Sequence, residues 1–223
     1  MNSSKVVFIF DETVPTPLCE IMGSYGSDKG AINITTSWHN YTTFYYSIFN
    51  NLCDKKLRVF ELGLGTNNVT IPSNMGPNGK PGASLHGWAE FFSNADIFGA
   101  DIDADILFNV DKIKTFYCDQ TNPETIKQLW DEPNLQENFD IIIEDGLHTF
   151  YANVCFFENS IHKLKSNGYF IIEDIVCNEE HLFINKIKEW ETQYKDCSFT
   201  LIKIPSSTNQ YDNTLLVVKK SAI

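Results

Sequence analysis

Two apolar stretches of the sequence each end in a pair of carboxylates. "FDIII" is followed by Glu144, Asp145 and, three positions after Asp145, His148, while "YFII" is followed by Glu173 and Asp174. Unbroken apolar runs are typical of strands that are buried on both faces. Carboxylate oxygens beside an imidazole are suited to hold a hard cation and to move a proton. The pattern therefore predicts a polar site where two buried strands end.

These carboxylates would lie close together if the two strands are neighbours, because adjacent strands are about 4.8 Å apart. Their mutual repulsion would then require a positive charge. A divalent cation such as magnesium, which accepts a few carboxylates and keeps several waters, suits that position. His148, with an ordinary pKa of about 6.5, is suited to take the proton of a hydroxyl beside it. The alternative is that Asp145 and Asp174 only cap helices or begin loops.

The stretch "VFELGLG" places Glu61 near the end of another apolar run, followed by Gly63 and Gly65. Glycine at such a turn lets the backbone approach a ligand closely. A nicotinamide dinucleotide fingerprint requires a third glycine three positions later. Asn68 stands there, so the sequence disfavours a nicotinamide cofactor.

The next two apolar runs also end in polar residues. "GADID" carries Asp101, placed to hold a ribose diol, and "YCDQ" carries Asp119 and Gln120, which suit the edge of an adenine. Each of these ends, taken alone, is compatible with ordinary turn chemistry. Their succession favours a ligand, because ligands of α/β proteins bind outside the carboxyl ends of the strands.

The motifs "ELGLG", "GADID", "CDQ" and "FDIIIEDGLH" resemble the successive motifs of class I S-adenosylmethionine-dependent methyltransferases. More narrowly, the chain resembles the macrocin and mycinamicin sugar O-methyltransferases, which share a DxxH motif after strand four and a Glu-Asp pair after strand five. The resemblance covers residues 57–176, and "GSDKG" and "HNYT" are similar to the family's N-terminal segment. It implies an α/β fold: a Rossmann-like, seven-stranded, mostly parallel sheet with helices on both faces and an antiparallel last strand.

The resemblance also implies roles for individual residues, with S-adenosyl-L-methionine and Mg²⁺ as the cofactors. The implied contacts of S-adenosyl-L-methionine are Glu61, Gly63, Gly65, Ser84, Asp101, Asp119 and Gln120. The implied ligands of Mg²⁺ are Asp145, Glu173 and Asp174. The implied catalytic residues are His148, as general base, and Asp145. The implied lining of the acceptor pocket is His39 and Tyr41.

Apolar runs alternate with amphipathic stretches from residue 57 onward, as in a parallel sheet covered by helices. The predicted strands are 57–62, 96–100, 114–118, 139–143 and 169–172, and the predicted helices are 84–92, 123–130, 151–164 and 179–194. "SFTLIKI" and "NTLLVVKK" predict an antiparallel pair that closes the edge of the sheet. We expect a single globular unit, with a methyltransferase domain over residues 57–223. Residues 1–56 are expected to form a helical, aromatic segment that caps the sheet or the acceptor site.

The composition of the chain bears on which classes of partner it can bind. The net charge of −12 comes without a basic cluster, so we expect no nucleic acid partner. No apolar run approaches the roughly 18 to 20 residues of a membrane span, and "KVVFIF" is shorter than the apolar region of a signal peptide. The six cysteines lack CxxC spacing, which favours the reduced thiols of a cytoplasmic protein.

Together these inferences predict an S-adenosylmethionine-dependent O-methyltransferase, assisted by Mg²⁺. The expected acceptor is a sugar or another small glycan-linked molecule, and a nucleotide- or phosphate-linked acceptor stays open. The alternatives are metal-independent methyl transfer and a regulatory domain that binds the cofactor or a nucleotide without catalysis. The insertion at residues 66–83, with three prolines and three glycines, is a candidate lid or acceptor-binding element. The resemblance also favours a homo-oligomer.

Overall fold

The computed structural model describes residues 4–11, 14–30 and 38–222. Within them one sheet of nine strands is flanked by six α-helices. The strands are β1 (Ser4–Val7), β2 (Arg58–Leu62), β3 (Asp96–Asp101), β4 (Asn109–Val110), β5 (Ile113–Tyr117), β6 (Phe139–Glu144), β7 (Leu164–Ile172), β8 (Cys197–Lys203) and β9 (Thr214–Lys220). The helices are α1 (Pro17–Tyr25), α2 (Tyr41–Phe49), α3 (Ala83–Phe91), α4 (Pro123–Asp131), α5 (Phe150–Ser160) and α6 (Glu180–Gln193).

The strand order is β1-β8-β9-β7-β6-β2-β3-β5-β4. Strands β7, β6, β2, β3 and β5 are parallel to one another, so their carboxyl ends share one edge. Strand β9 runs antiparallel between β7 and β8. The predicted α/β sheet with an antiparallel last strand is therefore confirmed. The structure adds two short strands, β1 and β4, to the seven that the resemblance implies.

The beginning of the chain differs from the expectation. Residues of "KVVFIF" form most of strand β1, which pairs in parallel with β8. The last two β-rich runs, β8 and β9, were expected to close the edge of the sheet. Strand β1 lies outside β8 and forms that edge instead. Helix α1 is an element that the sequence patterns do not reveal. Its start is stabilised by Thr16, whose hydroxyl accepts a hydrogen bond from the backbone of Cys19, and by Pro17 in the first turn. Strand β1 has only four residues, which is too short to show a clear apolar period.

Alternate residues of the central strands face two separate cores. Val59 of β2 packs with aromatic side chains of α2 and α3, whereas Phe60 packs against α4 and α5. Because successive strand residues point to opposite faces, Glu61 lies on the side of Val59. That carboxylate therefore faces the N-terminal helices. Residues 1–3, 12–13 and 31–37 of the predicted N-terminal segment lie outside the described residues.

The helices that cover the sheet are short. Among the residues that the structure describes, no helix has the length and apolarity that crossing a bilayer requires. The longest, α6, has 14 residues and buries Phe183, Ile187 and Trp190. Their spacing of four and three residues places them on one face of the helix, against the sheet.

Phe157→Ala is expected to lower the free energy of unfolding by about 3–5 kcal/mol, because it empties a fully buried aromatic position of α5. The Phe157 ring lies 4.3 Å from that of Trp190 and 5.1 Å from that of Phe170, between centroids. Tyr151→Ala is the matched control on the same helix, since Tyr151 is 81% exposed. It should change the free energy by less than about 0.5 kcal/mol. Urea unfolding followed by circular dichroism measures both, and equal losses would contradict the packing.

Candidate active site

A cavity of about 410 Å³ lies at the carboxyl edge of the sheet. This volume is in the usual range of small-molecule sites. Its walls come from the ends of the parallel strands, the insertion at residues 66–83 and the N-terminal segment. The predicted site residues that line it are His39, Gly63, Gly65, Ser84, Asp101, Asp119, Gln120, Asp145, His148, Glu173 and Asp174. Glu61 and Tyr41 are fully buried behind this lining.

The two glycines after β2 are required by close contacts within the chain. Both have left-handed backbone angles, with φ of 89° at Gly63 and 77° at Gly65. A Cβ on Gly63 would overlap the carbonyl oxygen of Asp145, and a Cβ on Gly65 would overlap the sulfur of Met75. The first glycine lets the ends of β2 and β6 meet. The second lets the insertion pack onto the turn.

Glu61 is held by donors from α3. The hydroxyl of Ser84 donates to Oε1 at 2.5 Å, and the indole nitrogen of Trp88 donates to Oε2. The ammonium of Lys29 lies 3.7 Å from Oε1. Burial raises the pKa of Glu61, and Lys29 and the two hydrogen bonds oppose that shift. Ser84, a predicted cofactor contact, therefore also orients Glu61, which is another predicted cofactor contact.

Asp101, at the end of β3, organises the glycine turn. Its Oδ2 accepts a hydrogen bond from the backbone of Leu64 at 2.7 Å, and its Oδ1 accepts one from the backbone of Asp103 at 2.8 Å. Burial raises the pKa of Asp101. Asp119, after β5, is half-buried, and its Oδ1 accepts hydrogen bonds from the backbone and the hydroxyl of Thr121. Both carboxylates line the cavity while they stabilise their own loops.

Gln120 links two strand ends. Its Oε1 accepts a hydrogen bond from the backbone of Leu147 at 2.6 Å, and its Nε2 donates to Glu144 at 2.8 Å. Glu144 also accepts from the side chain of Asn153 on α5. Burial raises the pKa of Glu144 to about 7. The amide predicted to read an adenine edge is thus already hydrogen-bonded at both ends within the chain.

Asp145, His148 and Asp174 form an imidazole–carboxylate group at the cavity. Nε2 of His148 lies 3.2 Å from Oδ1 of Asp145 and 3.4 Å from Oδ2 of Asp174. One ligand atom from each of the three lies within 4.8 Å of the others, which is a spacing that can hold a metal ion. Asp174 adopts a left-handed φ of 55°, a conformation that is uncommon outside glycine. Its Oδ2 faces His148, in the loop that follows β6.

The charge on His148 differs from the expectation of an ordinary imidazole. Burial opposes the charged ring, but Asp174 and Asp145 outweigh burial and raise the pKa of His148 to about 10. The pKa of Asp145 is lowered in return, because Lys29 and His148 outweigh its burial. The protonated ring is therefore the counter-ion of both aspartates at neutral pH. The sequence could not show this, since it does not give the distances.

Lys29 is a residue of the site that the sequence reasoning missed. Its side chain is buried, and its ammonium donates to Oδ2 of Asp145 and to Oε2 of Glu173. Burial opposes the ammonium, but Asp145 and Glu173 raise the pKa of Lys29 well above its ordinary value. The positive charge that the carboxylates were expected to require is thus partly supplied by a side chain. The one available signal was the position of Lys29 within "GSDKG".

Two tyrosines of α2 complete the group. Tyr45 donates to Oε1 of Glu173, and the hydroxyl of Tyr41 lies 2.5 Å from Oδ1 of Asp174. Burial, together with these carboxylates, raises the pKa of both phenols well above the ordinary value. Both hydroxyls are therefore donors at neutral pH. Tyr41 was predicted to line the acceptor pocket. It lies behind the residues that line the cavity and contacts Asp174 from there.

His39, the other predicted acceptor residue, does line the cavity. Its Nε2 lies 3.4 Å from Oδ2 of Asp174, and its Nδ1 lies 3.2 Å from Oδ1 of Asn213. The amide nitrogen of Asn213 donates in turn to Asn40 and to the carbonyl of Ile204. The loop between β8 and β9 thereby fixes the ring of His39. No sequence signal distinguishes Asn213 from the other polar residues of that loop.

The insertion at residues 66–83 forms one wall of the cavity. Thr66 donates to Asp103, and the amide of Asn67 donates to the carbonyl oxygens of Gly76 and Gly79 at 3.0 and 2.7 Å. These bonds close the insertion onto itself. Its lining side chains include Ile71, Pro72, Ser73, Asn74 and Met75. It is therefore a folded wall beside the glycine turn.

Comparison with known proteins identifies a family. Residues 54–219 match a family model that is described as a methyltransferase domain. A relative from Streptomyces olivaceus, named 8-demethyl-8-(2-methoxy-alpha-L-rhamnosyl)-tetracenomycin-C 3'-O-methyltransferase, is 27% identical over 72% of this chain and 37% of its own length. Mycinamicin VI 2''-O-methyltransferase from Micromonospora griseorubida is 27% identical over 61% of this chain and 32% of its own length.

The fold matches solved structures as well. MycE methyltransferase from the mycinamycin biosynthetic pathway, in complex with Mg and SAH, aligns with a TM-score of 0.68 at 21% identity. The alignment covers 94% of this chain and 56% of that structure. At this level of identity the match concerns the fold. The matched part of this chain covers only about a third of the length of the two curated relatives.

Gly63→Ala is expected to destabilise the protein strongly, because the new Cβ meets a backbone carbonyl that cannot move aside and φ stays positive. Gly65→Ala meets only the side chain of Met75, so adding Met75→Ala should recover part of its loss. The strain of the left-handed backbone, about 1–3 kcal/mol, should remain. Thermal denaturation of the single and double variants measures this. Recovery of Gly63→Ala by Met75→Ala would contradict the contacts.

Proposed function

The chain belongs to the methyltransferase domain family, and we propose on that premise that it is an S-adenosylmethionine-dependent O-methyltransferase. The proposed acceptor is a hydroxyl of a sugar or of another small glycan-linked molecule. The observation that carries the proposal is the imidazole–carboxylate group of Asp145, His148 and Asp174, which opens into the same cavity as the glycine turn. The proposed proton acceptor and the proposed pocket for the methyl donor thus lie in one cavity.

The relatives support the acceptor class. The Streptomyces olivaceus protein is named for O-methylation of a rhamnosyl tetracenomycin, and the Micromonospora protein for 2''-O-methylation of mycinamicin VI. Both are nearly twice as long as this chain, so the acceptor is part of the proposal. The exposed Trp38 and the insertion at residues 66–83 border the cavity and offer surfaces for it. A nucleotide- or phosphate-linked acceptor fits the same proposal.

The donor pocket is proposed to lie between the turn after β2 and the end of β3. Gly63 and Gly65 keep the turn free of side chains, and Asp101 is placed at the end of β3 for a ribose diol. Asp119 and Ser84 border the same space. S-adenosylmethionine, when bound, supplies a methyl group on a sulfonium that is a good leaving group. The chain then mainly has to orient the reacting atoms, an effect that can contribute about 7–11 kcal/mol.

His148 is proposed as the general base. It would take the hydroxyl proton while the acceptor oxygen bonds to the methyl carbon and the carbon–sulfur bond breaks, which leaves a neutral thioether. For this it must first lose the proton that Asp145 and Asp174 hold on it, since its pKa is about 10. Asp145 acts as a positioning carboxylate, because its Oδ1 orients the ring.

The donor set fits Mg²⁺, because hard cations prefer carboxylate oxygens and magnesium commonly uses one or two of them. We propose that Asp145 and Asp174 would hold the ion. Glu173 would be the third carboxylate beside the ion. Bound there, the ion would stabilise the deprotonated acceptor oxygen. Its charge would also offset that of the two aspartates and so weaken their hold on the proton of His148.

A second candidate is metal-independent methyl transfer. It is favoured by Lys29, whose ammonium already contacts Asp145 and Glu173. The same cavity, donor pocket and base would serve. The two candidates differ in whether a metal ion stabilises the acceptor oxygen and helps to release the proton of His148, so removal of metal separates them.

His148→Ala is expected to lower kcat by about 10²–10⁴, because the general base is lost. Binding of S-adenosylhomocysteine, measured by calorimetry, should stay within about threefold, since His148 is not among the residues proposed to contact the methyl donor. His162→Ala is the matched control, because His162 is exposed at the end of α5. Methyl transfer from labelled donor to rhamnosylated or nucleotide-linked acceptors is the assay. Unchanged kcat in His148→Ala would remove the base from the proposal, and absence of donor binding by the wild type would refute the function.

Removal of divalent ions with a chelator is expected to abolish methyl transfer, and added Mg²⁺ should restore it. The reason is that His148 remains the counter-ion of Asp145 and Asp174 until another cation takes that place. Turnover with and without the chelator is the measurement, with calcium-saturated chelator at equal concentration as the control. Full activity after thorough removal of metal would favour the metal-independent candidate instead.

A further inference from the structure

The turn between β6 and α5, which carries His148, has no regular secondary structure of its own. Its backbone is held by side chains. The N–H of Gly146 donates to Oε1 of Glu144 at 3.2 Å, and the N–H of Leu147 donates to Oε1 of Gln120 at 2.6 Å. The residue directly before His148 is therefore tied to a side chain from another part of the sheet.

Gln120 reaches this turn from the end of β5. A Cβ on Gly146 would lie 1.8 Å from Oε1 of Gln120, so the glycine leaves the space that the amide occupies. Nε2 of Gln120 donates to Oε1 of Glu144 at 2.8 Å. The amide thus connects the middle of the turn to the last residue of β6.

Glu144 joins these contacts from behind the cavity. It is fully buried, and neither Glu144 nor Asn153 is among the residues that line the cavity. Oε2 of Glu144 accepts a hydrogen bond from the side-chain amide of Asn153 on α5 at 2.5 Å. Donors from three segments, Gln120, Gly146 and Asn153, therefore meet on one buried carboxylate. Buried polar groups require such partners.

The chain is also held on the far side of His148. The N–H of Phe150, the first residue of α5, donates to Oε2 of Glu179 at 2.9 Å. A general base has to lie within hydrogen-bond reach of the proton that it takes. Because a displacement of about 1 Å can lower a rate about 10²-fold, the contacts that fix this turn bear on the alignment of the imidazole.

We propose that Gln120, Glu144 and Asn153 form a clamp that positions the turn, so that the imidazole of His148 meets the acceptor oxygen. The inference rests on the proposed function, because His148 is the proposed base of that reaction. Glu144 and Asn153 are positioning residues, since they act from behind the cavity wall. Gln120 acquires a role at the base end of the cavity in addition to its predicted contact with the donor.

Glu144→Met tests the clamp from behind the cavity, because it keeps the length of the side chain and removes both acceptor oxygens. We expect kcat to fall about 10–10²-fold. The KM of the acceptor and the affinity for S-adenosylhomocysteine should stay within about threefold. Glu144→Gln should keep kcat within about threefold of the wild type, because its oxygen can accept from Gln120 while the amide of Asn153 turns round to accept from the new NH₂.

Steady-state methyl transfer from labelled donor to a rhamnosylated acceptor measures kcat and KM. The stoichiometry of S-adenosylhomocysteine binding, from calorimetry, gives the folded fraction of each variant, so loss of fold is separated from loss of rate. An unchanged kcat in folded Glu144→Met would overturn the clamp. A loss in Glu144→Gln as large as that in Glu144→Met would also overturn it.

Gln120→Met removes the other half of the clamp and should lower kcat by a similar factor. If Gln120 and Glu144 act through the same turn, the double variant should lie within about threefold of the worse single variant, since residues in one network are not additive. Losses that multiply in the double variant would show that the two residues act independently and would overturn the clamp.

Asn153→Leu should lower kcat about threefold to tenfold, because Oε2 of Glu144 loses its donor. Asn159→Leu is the matched control on the same helix. Its amide donates to the carbonyl oxygen of Cys155 at 2.8 Å, further along α5 from the turn. It should leave kcat within about twofold, and equal losses in the two variants would overturn the clamp. Should Glu144→Met fail to fold, Gln120→Met and Asn153→Leu carry the same test.

Hydrogen exchange of the Leu147 amide tests the clamp without donor or acceptor. Gln120→Met should accelerate this exchange at least about tenfold, and Asn159→Leu should leave it within about twofold. An unchanged rate in folded Gln120→Met would overturn the clamp. Absence of methyl transfer by the wild type would overturn the proposed function and the catalytic role of the clamp together. An unchanged kcat in the variants of an active wild type would overturn the clamp alone.

Discussion

The compensation of buried negative charge is the constraint on which the rest of this structure depends. Glu61, Asp145, Glu173 and Asp174 are carried to one edge of the sheet by three neighbouring strands, β2, β6 and β7. Carboxylates this close and this buried would repel one another strongly without partners. The chain supplies one ammonium, two phenols and two imidazoles around them. Much of the architecture of the N-terminal segment follows from that need.

The N-terminal segment therefore belongs to the site as well as to the fold. Helix α2 buries its aromatic side chains against the sheet, and the same helix brings Tyr41 and Tyr45 to the carboxylates. The loop after α1 brings Lys29. The match to the methyltransferase domain begins at residue 54, so the domain provides the carboxylates and the preceding segment provides most of their donors. Removal of one without the other would leave buried charges unpaired.

Glycine plays two physical roles at the turn after β2. Gly63 allows the backbone of β6 to approach, and Gly65 leaves room for Met75 of the insertion. The same two residues keep side chains away from the place where we propose that the donor binds. A motif that is interpreted as a ligand contact can therefore also be a packing requirement, and both roles explain why a side chain is not tolerated there.

The sequence by itself determined the α/β class, four of the five parallel strands to within one residue, the second half of β7, and the clustering of acidic residues at the carboxyl ends of the strands. Those features follow from periodicity and strand ends, which are local properties. It did not determine β1, α1, the edge position of β1 beside β8, the pKa of His148 or the contacts of Lys29. Lys29 lies 116 residues from Asp145 and 144 from Glu173, and no local pattern relates them. Only the tertiary structure decided which cation meets which carboxylate, because electrostatic energy depends on distance in space and not on separation along the chain.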